Sequence, residues 1–374
     1  MLRTVGVEEE LLLVDPRTGR PRPVASRLLD PPPGHSGPGP LRALSAPVLE
    51  AELQQEQVEI ASAPQADLAL MRQDLRRLRR QADEAARSVG ARVAALATSP
   101  LPVVPHLTTK PRYDAMQQRF GLTCAQALTC GCHVHVAVTS DDEGVGAIDR
   151  IRAWLPVLTA LAASSPYAEG TDSGYASYRA QLQARWPSTG PSELFGSAEG
   201  YHAVVRSMMR TESLLDEGMV YFDARLSRRY PTVEVRVADV TPDVDTSVLI
   251  AALVRALVET AARQWQAGLP APAVPLGVLR LAAWRASRFG LDEGGDSGLL
   301  SPDDLQVHPA GEVVERLVQH VGDALDLGGD REWVQRQVAR LCSGGNGAQR
   351  QRLLVGAGRS LRQVVRDAVD RTQA

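Results

Sequence analysis

Hydrophobic and polar side chains alternate in four segments of the chain, which is the pattern of a β-strand with one buried face. The segments are residues 3–14, 52–61, 130–139 and 232–239. In the last segment Val233 and Val235 occupy one face, whereas Glu234 and Arg236 occupy the other. We predict that helices cover the apolar faces of the four strands, because such a face must be buried against another element.

The opposite faces of the same strands carry side chains that can bind metals or phosphates. Glu8 and Glu10 share a face of the first strand, Glu59 lies on the polar face of the second, and His133 and His135 share a face of the third. If the strands are neighbours in one antiparallel sheet, they line a single site made of Glu8, Glu10, Glu59, His133, His135, Glu234 and Arg236. Taken singly, each strand also fits an ordinary solvated face; the repetition on four strands favours a site.

Several glutamates so close together repel one another unless cations compensate their charge. Many carboxylate oxygens with few imidazoles suit Mg²⁺ or Mn²⁺ better than zinc. A guanidinium such as Arg236 beside these metals suits a polyphosphate, because it can hold phosphate oxygens that the metals bridge. Structural zinc and a catalytic cysteine are disfavoured, because Cys132 points away from His133 and His135 in an extended strand.

Helical periodicity is clear in residues 65–89, where the apolar stripe predicts a long amphipathic helix. We interpret Arg72, Arg76, Arg79 and Arg80 as its solvated face. Further helices are predicted near residues 112–128, 146–164, 243–267, 275–288, 309–325 and 329–342, followed by two short ones, and further strands near residues 91–98 and 218–224. Residues 31–40, rich in proline and glycine, are predicted to form a loop.

Residues 165–198 form a long segment rich in glycine, serine and tyrosine and without clear periodicity. Loops of this length inside a compact domain are usually functional or disordered. We predict that this segment, with Arg179 and Arg185, contacts substrate or nucleotide; ordinary packing is the alternative.

Charge and lysine content exclude several functional classes. The chain has 41 basic and 44 acidic residues and a net charge of −3, so no overall field favours nucleic acid or a membrane surface. Lys110 is the only lysine, and Pro111 follows it, so the chain has neither a P-loop nor a kinase-type lysine. If ATP is used, arginines and metal ions must hold its phosphates.

The remaining composition predicts a cytoplasmic protein. Four cysteines in 374 residues do not make a disulfide framework. The acidic start argues against a signal peptide, and no apolar run of about 18 residues predicts a membrane span.

Short motifs along essentially the whole chain resemble those of the type 2 glutamate–cysteine ligases, the YbdK-type carboxylate–amine ligases. They are GVEEEL (6–11), QVEI (57–60), KPRY (110–113), CGCHVH (130–135), EGTDSGYASYR (169–179), FGS (195–197), DEGM (216–219), YPTVEVRVAD (230–239) and GAQR (347–350). The resemblance implies an α+β fold like the catalytic domain of glutamine synthetase: a curved, mostly antiparallel sheet with helices on the outer face. It also implies a single ligase domain over residues 1–374, with a helical part from about residue 243.

The resemblance implies roles for the residues of the shared face. Glu8, Glu10, Glu59 and Glu234 would bind Mg²⁺ or Mn²⁺, with His133 beside the metal or phosphate groups and His135 as a weaker candidate ligand. Arg236 would contact the transferred phosphoryl group. Arg236 and His133 are therefore the predicted catalytic residues, and Arg236, Arg179 and Arg185 the predicted nucleotide contacts.

The implied reaction joins a glutamate-like carboxylate to a cysteine-like amine. The carboxylate attacks the γ-phosphate of ATP, and the amine then displaces phosphate from the acyl phosphate. Three alternatives stay open: the same chemistry on another carboxylate and amine, a divalent-metal amide hydrolase that needs no ATP, and a silent binding protein. The expected partners are small-molecule substrates, without nucleic acid or membrane, and a homo-oligomer is compatible with this reading.

Overall fold

A computed structural model describes residues 2–29 and 49–374, and the predicted loop at residues 31–40 lies outside this part. The strands are β1 (Val5–Val14), β2 (Glu50–Ala51), β3 (Gln57–Ala61), β4 (Arg92–Ala94), β5 (Gly131–Ala137), β6 (Tyr167–Ala168), β7 (Thr171–Asp172), β8 (Ala224–Leu226), β9 (Thr232–Asp239), β10 (Leu299–Leu300) and β11 (Val307–His308).

The helices of the described part are mostly in the second half of the chain. They are α1 (Ala25–Leu29), α2 (Leu68–Ser88), α3 (Pro111–Phe120), α4 (Leu122–Ala125), α5 (Asp141–Ile151), α6 (Leu155–Ala162), α7 (Tyr178–Gln183), α8 (Ala198–Arg210), α9 (Val244–Gln266), α10 (Leu276–Phe289), α11 (Ala310–His320), α12 (Gly322–Gly328), α13 (Arg331–Gly344), α14 (Gly347–Gly356) and α15 (Leu361–Thr372). A 3₁₀ turn covers Glu217–Met219. No helix of the described residues is long and apolar enough to cross a membrane.

The centre of the fold is a seven-stranded sheet in the order β2-β3-β1-β5-β9-β8, with β4 pairing the far end of β1. Every pair of neighbours is antiparallel. The four strands predicted from alternation are therefore β1, β3, β5 and β9, and they lie side by side. This confirms the predicted α+β fold with an antiparallel sheet.

One face of this sheet is buried under helices, as the alternation predicts. Val7, Val134, Val233 and Val235 are at most 2% exposed and belong to one hydrophobic core. Helices α5, α6 and α9 contact this face through β5 and β9. The opposite face of β1, β3, β5, β8 and β9 is left to line a cavity.

Helix α2 confirms the predicted helix at residues 65–89, but the solvated face predicted for its arginines is wrong at Arg79. This side chain is 1% exposed and donates two hydrogen bonds of 2.7 Å to the Glu9 carboxylate. Residue 79 is four residues after Leu75 and three before Ala82, both buried. The helical period therefore turns Arg79 toward the sheet, where Glu9 compensates its charge.

Several predicted elements are shorter than predicted or divided; the strand predicted at 91–98, for example, is only β4, and the helix predicted at 309–325 is divided into α11 and α12. The predicted helix at 112–128 ends at Phe120, because Gly121 adopts a φ of +52° that favours glycine. The predicted helix at 146–164 is the end of α5 followed by α6, which begins at Leu155 with a proline in its first turn. The strand predicted at 218–224 is wrong for most of its length, because the chain forms the 3₁₀ turn and enters β8 only at Ala224.

Candidate active site

The strand register brings the predicted polar residues together. Glu8 pairs with His133 across β1 and β5, and Glu10 pairs with Glu59 across β1 and β3. Directly opposite residues of neighbouring strands share a face of the sheet. All seven predicted side chains consequently line one cavity of about 1060 Å³, namely Glu8, Glu10, Glu59, His133, His135, Glu234 and Arg236.

A β-bulge lies in the middle of this face. Cys132 of β5 pairs with Ala238 of β9, and Val134 pairs with Val235. The paired positions are two residues apart in β5 but three apart in β9, so β9 holds one extra residue opposite His133. Bulges bend a strand locally and re-aim its side chains. The bulge therefore lies at Arg236 and Val237 of β9, and Arg236 is the residue predicted to contact phosphate.

Glu10, Glu52 and Glu59 form a group that we call the three-carboxylate cluster. Each offers one oxygen, and the three oxygens lie within 4.8 Å of one another. Burial raises the pKa of all three side chains, and the neighbouring carboxylate of Glu52 raises the pKa of Glu59 further. The backbone N–H of Gly131 donates to Glu10 Oε2 at 2.6 Å, which fixes that carboxylate.

Sequence reasoning missed Glu52, which follows the two-residue strand β2. Glu50 of β2 lies directly opposite Glu59, and Glu52 is two residues further along. Glu52 would share the polar face of Glu50 if β2 continued for two more residues. A strand of two residues is too short to show this alternation, so the sequence did not indicate Glu52.

Glu8, His135 and Glu234 form the second group, which we call the mixed cluster, again with ligand atoms within 4.8 Å of one another. Glu8 lies 3.3 Å from His135 Nε2 and 3.5 Å from His133 Nδ1. Burial alone would raise the pKa of Glu8, but its contacts with the two imidazoles outweigh burial and lower the pKa. Glu8 is therefore a carboxylate at neutral pH.

His133 lies beside the mixed cluster rather than within it, and it contacts Arg236. Its Nδ1 is 3.5 Å from Arg236 Nη1. Burial, followed by the positive charge of Arg236, lowers the pKa of His133 to about 4. The imidazole is therefore neutral at pH 7 and offers one donor and one acceptor nitrogen.

Arg236 is held by Glu234, to which its Nη1 donates. Arg225, on the neighbouring strand β8, donates to both oxygens of the same carboxylate at 2.7 and 3.1 Å. Burial alone would raise the pKa of Glu234, but the charges of Arg236 and Arg225 outweigh it and lower the pKa. Sequence reasoning missed Arg225, because the three-residue strand β8 shows no alternation of its own.

Arg179 and Arg185, the two other arginines predicted to bind nucleotide, are not among the described residues that line the cavity, and their contact with nucleotide stays a prediction. Arg179 is 4% exposed, donates to the Arg236 carbonyl oxygen at 3.3 Å and lies 3.9 Å from Asp239. Arg185 is exposed and donates to Gln126 at 3.1 Å. Arg179 is therefore buried beside β9, whereas Arg185 is exposed.

The segment 165–198 does contribute to the cavity, through Gln183 and Trp186. Gln183 donates to Thr129 Oγ1 at 2.8 Å, and the Trp186 ring contacts Tyr221 edge-on at 5.8 Å between centroids. By contrast, Tyr175 and Tyr178 pack against each other with centroids 6.0 Å apart. The prediction of substrate contact therefore rests on Gln183 and Trp186, whereas Tyr175 and Tyr178 pack against each other.

Residues 4–372 match the sequence profile of glutamate-cysteine ligase family 2 (GCS2). The chain belongs to this family. A protein of Streptomyces coelicolor provisionally named glutamate–cysteine ligase 2 is 51% identical over 373 residues and covers 100% of both chains. A Streptomyces avermitilis protein of similar name is 49% identical over 378 residues, again with full coverage. The family identifies the chain as an ATP-dependent carboxylate–amine ligase, as the motifs predicted.

Solved structures share the fold of this GCS2 member at low sequence identity. The glutamate–cysteine ligase of Francisella tularensis, solved with AMP, has a TM-score of 0.69 at 13% identity over 100% of this chain and 89% of its own. The bifunctional glutathione synthetase of Pasteurella multocida has a TM-score of 0.68 at 15% identity over 99% of this chain and 52% of its own. At this identity the likeness supports the fold alone.

The donor atoms of this GCS2 member fit divalent metal ions of the oxygen-preferring kind. The three-carboxylate cluster offers only oxygen, and the mixed cluster adds a single imidazole nitrogen. Mg²⁺ and Mn²⁺ prefer such ligands, whereas structural zinc sites use thiolates and several imidazoles. Cys132 is 1% exposed and lies in the core on the other face of β5.

Proposed function

We propose that the chain joins a glutamate-like carboxylate to a cysteine-like amine at the expense of ATP, through an acyl phosphate. The observation that carries this proposal is the position of Arg236 and His133 beside two separate groups of side chains that could each hold a metal ion, all on one sheet face. The names of the relatives support the choice of glutamate and cysteine.

The two clusters divide the binding of cations between them. The three-carboxylate cluster and the mixed cluster would each hold one Mg²⁺ or Mn²⁺. Bound divalent ions would neutralise the phosphate oxygens, which is the requirement when one anion attacks another. The raised pKa of Glu59 and its neighbours supports a cation there, because three close carboxylates are stable as anions only when positive charge compensates them.

Arg236 donates to the phosphoryl group during its transfer. Its guanidinium is fixed on one side by Glu234, so its remaining N–H groups are oriented before the substrate arrives. A donor held in place stabilises developing charge more than a mobile one, because no reorganisation is needed. Arg225 contributes indirectly, as the positioning residue that holds Glu234 from the other side.

Neutral His133 would donate or accept one hydrogen bond beside Arg236. Because Arg236 adjoins it, a protonated imidazole would meet a second positive charge within 3.5 Å. A neutral ring avoids this repulsion and leaves the carboxylate of Glu8 free to bind a cation. The ring would orient an oxygen of the phosphoryl group or of the acyl phosphate.

The amine substrate would bind at the end of the cavity where aromatic side chains gather. The lining there includes the aromatic residues Tyr113, Trp186 and Tyr221 and the apolar residue Met116. The amide of Gln183 and the hydroxyl of Thr129 lie beside them. This end is next to Glu10 and Glu59, so an amine there reaches an acyl group activated near Arg236.

A substrate panel tests this proposal. Purified protein is incubated with ATP and Mg²⁺ while carboxylates and amines are varied one at a time, and ADP release and product mass are measured. We expect ADP and an amide of glutamate and cysteine in equal amounts, and no product when ATP or amine is omitted or EDTA is added. Equal amounts of ADP and amide from a different carboxylate and amine would change the proposed substrates but keep the proposed chemistry. Product without ATP would refute the proposal.

A further inference from the structure

A second cavity lies at the end of β1 that is remote from the active site. Its volume is about 490 Å³, within the usual range for small-molecule pockets. It is enclosed by the turn that follows β1, the start of β4 and the face of α15, and we call it the arginine cavity. Its charged lining consists of Asp15, Arg17, Arg92, Arg362, Arg366 and Asp370.

Three of the four arginines that line the arginine cavity form no ion pair with another described residue. Arg92 is paired with Asp83 at 2.7 Å. Among the described residues, however, no carboxylate oxygen lies within 4.0 Å of the guanidinium of Arg17, Arg362 or Arg366. These three charges face one concave space, where they repel one another unless an anion is present.

The two aspartates of the lining cancel only part of this charge. The Asp15 side chain accepts hydrogen bonds from the backbone N–H groups of Arg17 and Thr18, at 3.0 and 2.8 Å, and from the Thr18 hydroxyl. It is therefore engaged within its own turn. Both Asp15 and Asp370 keep their negative charge, and two carboxylates against three unpaired guanidinium groups leave a net positive charge in the lining.

The arginines come from separate segments that the fold fixes in place. Gly19 of the turn, with a φ of +73°, packs so closely on α15 that an added Cβ would lie 3.3 Å from Val365 Cβ. At the other end of α15, the Thr372 hydroxyl accepts from the Ala95 N–H at 3.0 Å. The turn, the end of β4 and α15 are thus packed together, which fixes the backbone positions from which the exposed side chains of Arg17, Arg362 and Arg366 extend.

We propose that the arginine cavity binds a small anion that carries two or more phosphate groups, at a site separate from the active site. Guanidinium forks match phosphate oxygens in pairs. Three unpaired arginines around one cavity offer more donors than a single phosphate uses, which favours a diphosphate or longer anion. The proposal is independent of the substrates of the ligation.

Calorimetric titration with inorganic pyrophosphate tests the proposal, in EDTA so that the metal clusters cannot retain the probe. The test variant is Arg362→Ser with Arg366→Ser. The matched control is Arg206→Ser with Arg210→Ser, two exposed arginines at the same spacing on α8 that form no ion pair with any other described residue. All proteins are checked for folding by circular dichroism.

We expect saturable binding to the wild-type protein, at least tenfold weaker binding to the test variant, and unchanged binding to the control. Arg17→Ser, on the turn, should also weaken binding and serves if the double variant unfolds. Absence of saturable binding to the wild-type protein would overturn the proposal. So would equal affinities of the wild-type protein and the test variant, because pyrophosphate would then bind elsewhere.

Discussion

Arg79 of α2 and Glu9 of β1 form a buried ion pair in which both nitrogen–oxygen distances are 2.7 Å. Glu9 is 0% exposed and lies on the face of β1 opposite to Glu8 and Glu10. Arg79 also donates to the carbonyl oxygens of Thr241 and Pro242, at 2.9 and 2.8 Å. Three consecutive glutamates therefore have two different functions: the middle one joins the sheet to α2, and the outer two face the active site.

The first prediction follows from this division. Glu9→Gln leaves the Arg79 guanidinium buried without a counter-ion, and we expect it to lower the free energy of unfolding by about 3–5 kcal/mol. Glu8→Gln should change stability far less, because Glu8 lines the open cavity and its side chain is 25% exposed. Urea denaturation of both variants measures the difference, and equal losses would contradict the assignment of Glu9 to the core.

The second prediction concerns Glu52, the member of the three-carboxylate cluster that alternation did not indicate. Glu52→Gln removes one negative charge from the cluster, so the Mg²⁺ concentration for half-maximal activity should rise by about tenfold or more. Stability in EDTA should not fall, because carboxylate repulsion is relieved. The exposed Glu315→Gln on α11 is the control, and an unchanged Mg²⁺ requirement in Glu52→Gln would exclude Glu52 from metal binding.

The third prediction concerns Arg236. Lysine retains the positive charge but not the planar fork. We expect Arg236→Lys to lower kcat by about tenfold or more, because a fixed donor to developing charge typically contributes about 2–4 kcal/mol. ATP binding without turnover should weaken less. Steady-state kinetics test this, with Arg206→Lys on α8 as the control variant. An unaltered kcat in Arg236→Lys would show that Arg236 does not contact the transferred phosphoryl group.

The fourth prediction is a pH dependence of stability at the Arg3–Glu143 pair, whose atoms are 2.7 Å apart. Burial alone would raise the pKa of Glu143, but hydrogen bonds from Arg3 and Thr139 outweigh burial and lower the pKa. A lowered pKa stabilises the fold above the ordinary pKa of about 4.5, and this contribution is lost as the pH falls further through the lowered value.

Glu143→Gln should accordingly be less stable than the wild-type protein at pH 7 by about 1–3 kcal/mol. The gap between the two should close as the pH is lowered from 5 to 3. Thermal unfolding of both proteins over this range measures the gap. A gap that stays constant would show that Glu143 acts through packing and not through its charge.

The sequence predicts the sheet face well because alternation is a local property. Val233 and Glu234 must point to opposite faces in any strand, and the same holds for Val134 and His135. The family resemblance adds the expectation of one mostly antiparallel sheet, which alternation cannot supply. The shared face of the candidate site residues on the long strands β1, β5 and β9 was therefore predictable.

What the sequence does not predict depends on tertiary contacts. Arg79 is part of an arginine run and becomes a core residue only because Glu9 lies opposite it. Arg225 and Glu52 belong to or follow strands of three and two residues, in which alternation has no room to show. The burial of Arg179 and its hydrogen bond to the Arg236 carbonyl oxygen also depend on tertiary contacts, and no local pattern indicates them.

The central claim is that the carboxylate substrate is activated by phosphorylation on this sheet face. Transfer of an ¹⁸O label tests it most directly: the carboxylate identified by the substrate panel is labelled with ¹⁸O and incubated with ATP, Mg²⁺ and amine, and the released phosphate is weighed by mass spectrometry. The account predicts one ¹⁸O in each phosphate, because the attacking carboxylate oxygen leaves with phosphorus when the amine displaces it. Unlabelled phosphate, or AMP with pyrophosphate in place of ADP, would contradict the account.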